Sequence, residues 1–317
     1  MNIKPERLAT LVALGALLTN AGAAPVDGGA PAAGGSAGQT AGTGGARPFI
    51  AVTPIYQGNA GLDRGGDFSM GGVAVRGGVS YGLGAGNSAG FALTYDYLDY
   101  AFSSPGALGP AAPWDIVQRF GVSVPLSFGL VDGWSLSLVP SVDWFGETGA
   151  DSGESLTTGA TLAGSRQFTQ DNRLGLGVGV FSGLEKTRAF PFLIVDWRLT
   201  DRWRLTNPLA SGPTGPAGLE LDYRFDGGWS AGIGAAWRVL RFRLSETGPT
   251  PNGIGEESGV PLFLRVTQRF GSQMGLHLYG GVIVNGELRV ENAQGDLRRK
   301  DNFDPAPLFG ATFTARF

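Results

Sequence analysis

The chain has no cysteine, a single histidine, few charged residues and, past its N-terminus, no long apolar run. Without cysteine there is no disulfide framework, no thiolate metal site and no residue behind a leader to carry a lipid. One histidine, His277, has no histidine, cysteine or clustered carboxylate beside it at ligand spacing, so no metal site or cofactor is expected. Charged residues make up 16% of the chain, well below the usual quarter. No stretch beyond the N-terminus reaches the roughly 20 apolar residues of a membrane-spanning helix. Two classes survive: a soluble all-β protein, or a membrane protein that crosses as a closed barrel. The formal net charge of −3 argues against nucleic acid as a partner.

What is abundant is glycine, 54 residues in 317. Residues 1–23 read as a secretory signal. Lys4 and Arg7 supply the basic start, residues 8–18 an apolar core too short to span, and Ala21-Gly22-Ala23 a small-x-small site with the cut before Ala24. Residues 24–46 are Gly, Ala, Ser, Thr and Pro with hardly any apolar bulk. They cannot bury enough surface to offset their ordering entropy, and read as a flexible tail.

From Arg47 the pattern is strand, turn, strand. Phe120, Val122, Val124, Leu126, Phe128 and Leu130 form one face of a strand whose other face is Arg119, Gly121, Ser123, Pro125, Ser127 and Gly129. Asp132-Gly133 then turns the chain tightly. Leu219, Leu221, Tyr223 and Phe225 alternate with Glu220, Asp222, Arg224 and Asp226 in the same way. Near Val239-Leu240 the apolar parity switches, which one extra residue, a β-bulge, would explain. Short connections fall near 81–88, 131–133, 170–172, 200–202, 226–228 and 271–273. Longer ones fall near 58–66, 103–113, 147–153, 185–189, 208–218, 247–258 and 292–307. Strict alternation of short and long is the asymmetry of a membrane barrel, and counting back from the C-terminus gives about fourteen strands, an even number with both ends on the short-turn side. The strands near 49–57 and 203–207 are the weakest of these.

The last ten residues carry the most specific signal. Phe309, Ala311, Phe313, Ala315 and Phe317 alternate with Leu308, Gly310, Thr312, Thr314 and Arg316, a period of two with a terminal aromatic. This stretch resembles the closing strand of bacterial outer-membrane β-barrel proteins. The resemblance implies an all-β antiparallel transmembrane β-barrel of residues 47–317 in the cell outer membrane. It also implies lipid as a partner on one face, and assembly machinery that reads the strand ending at Phe317. A soluble sandwich is the alternative fold.

Aromatic placement agrees with the barrel. Trp134, Trp203 and Trp229 directly follow short turns, and Phe225, Phe270 and Phe317 end strands on the same side. Together they would form an interface girdle. Trp114, Trp144 and Tyr97 would sit at the other interface. Inward parity falls on Arg76, Arg119, Arg198, Arg204, Arg224, Arg238, Arg265 and Arg269, and on Asp96, Asp143, Asp196, Glu220 and Asp222. His277 and Tyr279 point inward as well. Charge at that frequency suits a wet lumen and not a dry core. The charges either pair and stiffen the wall or set a field that selects polar solutes. No nucleophile elbow or other catalytic constellation is present, so no enzyme is expected. Gly175, Gly177 and Gly179 lack the spacing of a dinucleotide loop and fall on the inner face, where small residues leave room for another segment. The expected function is passive or weakly selective diffusion of small polar solutes. The alternative is a non-conducting structural or surface-binding barrel.

Overall fold

The computed structural model describes residues 45–317; the expected signal and nearly all of the expected tail lie outside them. The regular elements of the described chain are all strands apart from two single 3-10 turns. In order, the strands are β1 (Ala46–Gly61), β2 (Asp67–Gly84), β3 (Asn87–Ser103), β4 (Ile116–Ser123), β5 (Leu126–Gly129) and β6 (Trp134–Glu147). Next come β7 (Leu156–Thr169), β8 (Asn172–Gly183), β9 (Lys186–Arg198), β10 (Trp203–Thr206), β11 (Gly218–Arg224) and β12 (Trp229–Ala236). The last are β13 (Arg238–Arg243), β14 (Ile254–Phe270), β15 (Met274–Glu291), β16 (Leu297–Phe303) and β17 (Ala306–Arg316).

Three pairs of these segments are single wall strands with a short break. β4 and β5 flank Val124-Pro125 and both pair β3 and β6; β12 and β13 flank Trp237 and both pair β14; β16 and β17 flank Asp304-Pro305 and both pair β15. Seventeen segments therefore make fourteen wall strands. Every neighbour around the ring is antiparallel, one parallel bridge joins Arg243 of β13 to Gly146 of β6, and β17 pairs β1, with Val52 opposite Phe313, to close the ring. Closure leaves no sheet edge to solvent or lipid.

The apolar alternation becomes the outer surface. Phe120, Phe128, Leu136, Leu162, Leu176, Ile233, Leu264, Leu278, Phe309 and Phe313 are all exposed. Their sequence neighbours Arg119, Thr161, His277 and Thr312 are buried. An exposed apolar belt around a buried polar face is the reverse of a soluble protein and is the surface that lipid requires. Strands of 17–18 residues, such as β2, β14 and β15, exceed the roughly 9–11 residues needed to cross. The surplus projects on the side of the long connections.

Several expectations need correction. The strand expected to be weak near residues 49–57 is part of the 16-residue β1, whereas that near 203–207 has only the four residues of β10. The connection expected at 185–189 is a two-residue turn, Leu184-Glu185, with both residues at positive φ. Short and long connections thus do not alternate strictly. The expected loop 292–307 contains β16. Near Val239 there is no bulge: β12 and β13 keep one continuous register against β14, with Ala235 opposite Leu262 and Arg238 opposite Gly259. The parity of side chains does not change there; their surroundings do. Beyond Trp237 the strand leaves the lipid, so an apolar inner face and a charged outer face are both covered by protein. The extra residue lies on the partner strand, where Asn285, at φ 51°, shifts the β14–β15 register and turns Leu288 and Val290 inward.

Candidate functional site: the lumen and its closure

A hydrogen bond between strands that are not neighbours in a closed wall crosses the interior or its mouth. Several such contacts converge on the outer end. β13 and the first half of β14 form an arm that leans across the mouth. Its Phe242 packs in ring contact with Trp114, Tyr100 of β3 and Phe145 of β6. These belong to one apolar cluster that also takes in Phe68, Met70, Leu98, Leu108, Ile283, Leu288 and Phe303. Trp114 is therefore a core residue of this seal, not the interface aromatic that its sequence suggested. Trp144 is exposed on the outer surface.

The arm's other face is ionic. Arg241, 1% exposed, donates to Glu291 at 2.7 Å, Glu256 at 3.2 Å and the carbonyl of Leu184 at 3.1 Å. Arg188 also reaches Glu256, and Lys186 reaches Glu291. Arg243 binds Glu185 at 2.8 Å. Burial works against the charge on Glu291, but the guanidinium of Arg241 and the ammonium of Lys186 hold its carboxyl below the ordinary carboxylate range. On the lumen side Arg238 donates to Glu257 and, across the barrel, to Gln57 of β1, both at 2.5 Å. Tyr100 donates to the same Glu257 at 2.7 Å. A buried arginine with this many acceptors is stable only while all of them stay in place.

A second segment closes the middle of the barrel. After the four residues of β10 the chain leaves the wall as the Pro/Gly-rich segment 207–217. Asn207 anchors its root: its amide oxygen accepts from Val195 N–H, and its amide nitrogen donates to the carbonyls of Leu193 and Gly218. That side chain ties β9 to β11 where β10 stops. The segment then reaches the far wall, where Thr53 Oγ1 of β1 donates to the Ser211 carbonyl at 2.6 Å. Gly212 packs so closely on Tyr279 of β15 that a Cβ there would lie 2.7 Å from the phenol oxygen. Thr214 is fully buried. Between the segment and the far wall, Thr53 Oγ1 to Ser211 is the one side-chain hydrogen bond among the described residues, whereas the outer arm has many.

The predicted charged residues form cross-strand pairs along the wall. Arg76 pairs with Asp96, and Arg119 binds Asp143 at 2.8 Å while lying over the ring of Phe145. Arg204 binds Asp196 at 2.5 Å. Arg265 binds Glu220 at 2.7 Å and approaches Asp222 at 3.6 Å. Arg198 bonds Asp171 and Asp201 at the short-turn rim. His277 Nδ1 lies 2.9 Å from Thr267 Oγ1 and Nε2 lies 3.4 Å from Thr314 Oγ1. Among the described residues its side-chain partners are Thr267, Thr314 and, at 3.5 Å, Arg265. Among the described residues no group of three or more histidines, cysteines or acids stands at metal-binding distance. Arg224 and Arg269 make no salt bridge or side-chain hydrogen bond among the described residues, although both have inward parity.

The expected girdle residues Trp134, Trp203, Trp229, Phe225, Phe270 and Phe317 are all exposed at the short-turn end. Trp203, Tyr223 and Phe225 stack edge to face with centroids 4.8 Å apart. The glycines of β8 serve the interior: the ring of Phe192 lies over Gly177 and that of Phe190 over Gly179, leaving no space for a Cβ. Sequence reasoning missed Arg241, Arg243, Glu256, Glu257 and Glu291, as well as the inward course of 207–217. The available signal was the parity switch after Trp237, where arginines replace apolar residues on the lipid-side parity.

No protein-family model and no curated protein matches the chain. Solved structures of similar shape are membrane barrels. One is the COG4313 outer membrane channel from Pseudomonas putida F1, 11% identical, with 87% of this chain and 96% of that chain covered and a TM-score of 0.45. Another is the Pseudomonas putida toluene transporter TodX, 11% identical, covering 86% and 90% with a TM-score of 0.41. A third is a Pseudomonas aeruginosa FadL homologue, 12% identical, covering 85% and 89% with a TM-score of 0.41.

Proposed function

We propose that the protein is an outer-membrane channel for small polar solutes, held closed in this conformation by segment 207–217 beneath the outer arm. The reading rests on one observation. Two segments rooted at the outer end cross the interior: 207–217 reaches Thr53 and Tyr279, and Phe242 of the arm packs on Tyr100, Trp114 and Phe145. Eight-stranded barrels are filled by wall side chains, while barrels of sixteen or more enclose water. At fourteen strands the inner space is wide enough to need an insert, and an insert held by few bonds is one that can leave. Paired charges on the wall give the passage a polar lining of mixed sign, suited to passive or weakly selective diffusion. Export behind the N-terminal signal, and capture of the strand ending at the exposed Phe317 by the assembly machinery, complete this reading.

The apolar seal around Phe242 and Trp114 favours a second reading, a non-conducting barrel that acts through its outer surface. Planar-bilayer recording separates the two. Replacing residues 208–216 with a short Gly-Ser turn keeps Asn207 and the wall strands. The channel reading expects rare or brief openings for the wild-type chain and steady open steps for the variant. A folded, inserted variant that stays silent would sink it and leave the structural reading.

A further inference from the structure

Below segment 207–217, on the short-turn side, arginines gather on one arc of the wall. Five arginines have inward parity at this level on the arc from β8 to β14: Arg173, Arg198, Arg204, Arg224 and Arg269. Asp196, Asp222 and Asp226 share that parity and level, and Asp171 and Asp201 stand at the rim beside Arg198. Beside the β8 end of this arc, β7 and β6 present Ser165, Ser135 and Ser137 at the same end, with Ser135 Oγ 2.8 Å from Ser165 Oγ.

Within the arginine arc, Arg204 is neutralised by Asp196, and Arg198 by Asp171 and Asp201. Arg224 and Arg269 are not. Register places them close: Arg224 is opposite Ser230, which is opposite Thr267, two residues from Arg269. Arg224 is the like charge that acts most strongly on Arg269, and Asp222 offsets it ahead of the weaker effects of Arg265 and Arg204. A cleft beside them is lined by Arg198, Arg204, Asp222 and Arg224. Both uncommitted side chains are exposed and have inward parity. Two guanidinium groups that repel each other, beside an Asp222 that already lies 3.6 Å from Arg265, are stabilised by an anion that accepts from both.

We infer that the inner vestibule holds an anion site, formed by Arg224 and Arg269 with Arg204 at its edge. It takes a small solute bearing a carboxylate or phosphate group. The reading rests on the channel proposal for its biological use but not for its existence: the site is a property of the closed barrel. Each guanidinium fork donates to two oxygens of the anion. The inward parity of both arginines directs the site to lumen solutes rather than to lipid headgroups.

The test measures inorganic phosphate binding to the full-length, detergent-purified barrel by titration calorimetry at low ionic strength. Saturable binding is expected for the wild type. In Arg224→Gln/Arg269→Gln, losing two charge-assisted contacts weakens it by about tenfold or more. Arg298→Gln, an exposed position on β16, retains wild-type affinity. Heat-modifiable gel migration checks that each variant is folded. No saturable binding by the wild type overturns the inference, and so does equal binding by the double variant. Equal weakening in Arg298→Gln shows a diffuse charge effect and also overturns it. Binding without conductance in any variant would leave the site standing and remove the channel; conductance without binding would do the reverse. In the open variant lacking 208–216, the site further predicts a reversal potential favouring chloride in a KCl gradient, reduced in the double arginine variant.

Discussion

Replacing Arg241 with alanine isolates the energy that holds the outer arm in place. Its guanidinium is 1% exposed and serves Glu256, Glu291 and the Leu184 carbonyl. Removing one partner of a buried ion pair costs about 3–5 kcal/mol, because the other charge is left unsatisfied. Here both carboxylates keep a second cation. Glu291 retains Lys186 at 3.1 Å, and Glu256 retains Arg188 at 3.2 Å. The lower end of the range, about 3 kcal/mol, therefore applies. At roughly 1.4 kcal/mol per factor of ten, that raises the opening constant of the arm by about a hundredfold. The wall is spared, since Arg241 lies beyond the last lipid-facing residue, Trp237. Hydrogen exchange of residues 238–259 reads the local opening directly. The expected result is about a hundredfold faster exchange in the arm with unchanged protection in β6 to β9. A change of threefold or less would refute the reasoning. Equal acceleration throughout the barrel would show that the arm is not a separate unit.

Other expectations follow from the same geometry. Leu264→Arg, at 62% exposure on the lipid face of β14, should cost about 2–4 kcal/mol near the bilayer midplane, read from urea unfolding in vesicles. Charged residues at Val124, Leu126 and Phe128 together should block membrane assembly, read from membrane fractionation. Glu291 has a folded-state pKa below its ordinary value of 4.5. Its contribution to the arm is complete above that value and is lost as pH falls through the lower folded value. Protease nicking in residues 244–253 should rise below pH 4.5 while the wall stays resistant. Gly177→Leu forces a side chain into the ring of Phe192 and should destabilise the barrel by about 1–3 kcal/mol, with Phe192→Ala restoring part of the loss in the same unfolding assay.

The barrel was legible in the sequence because lipid enforces a simple rule: on each spanning strand one face is apolar, whatever the neighbours are. The pattern at 120–130 and 309–317 therefore specified strand, face and orientation without knowledge of pairing. That rule stops where the lipid stops. Beyond Trp237 the arm is covered on both faces, so Phe242 inward and Arg241 outward read as a slip of parity when none occurs. Trp114 failed for the same reason: an aromatic near the interface and one in the outer seal have the same sequence context. The inward course of 207–217 left no periodic trace, because Gly, Pro, Ala and Ser fit a surface loop as well as an insert packed on Tyr279. The pairing of Arg119, Arg204 and Arg265 with acids of adjacent strands depends on register, which alternation alone does not supply. The two arginines left over, Arg224 and Arg269, emerge only after those pairs are subtracted.

The central claim is that segment 207–217 closes a passage that exists behind it. The chain has no cysteine, so Thr53→Cys/Ser211→Cys creates a single possible bridge at a point where the segment already meets the far wall. Single-channel current through this variant is measured before and after adding a reductant. The account predicts silence when oxidised and the return of openings on reduction. Openings that persist unchanged in the oxidised, cross-linked protein would contradict it.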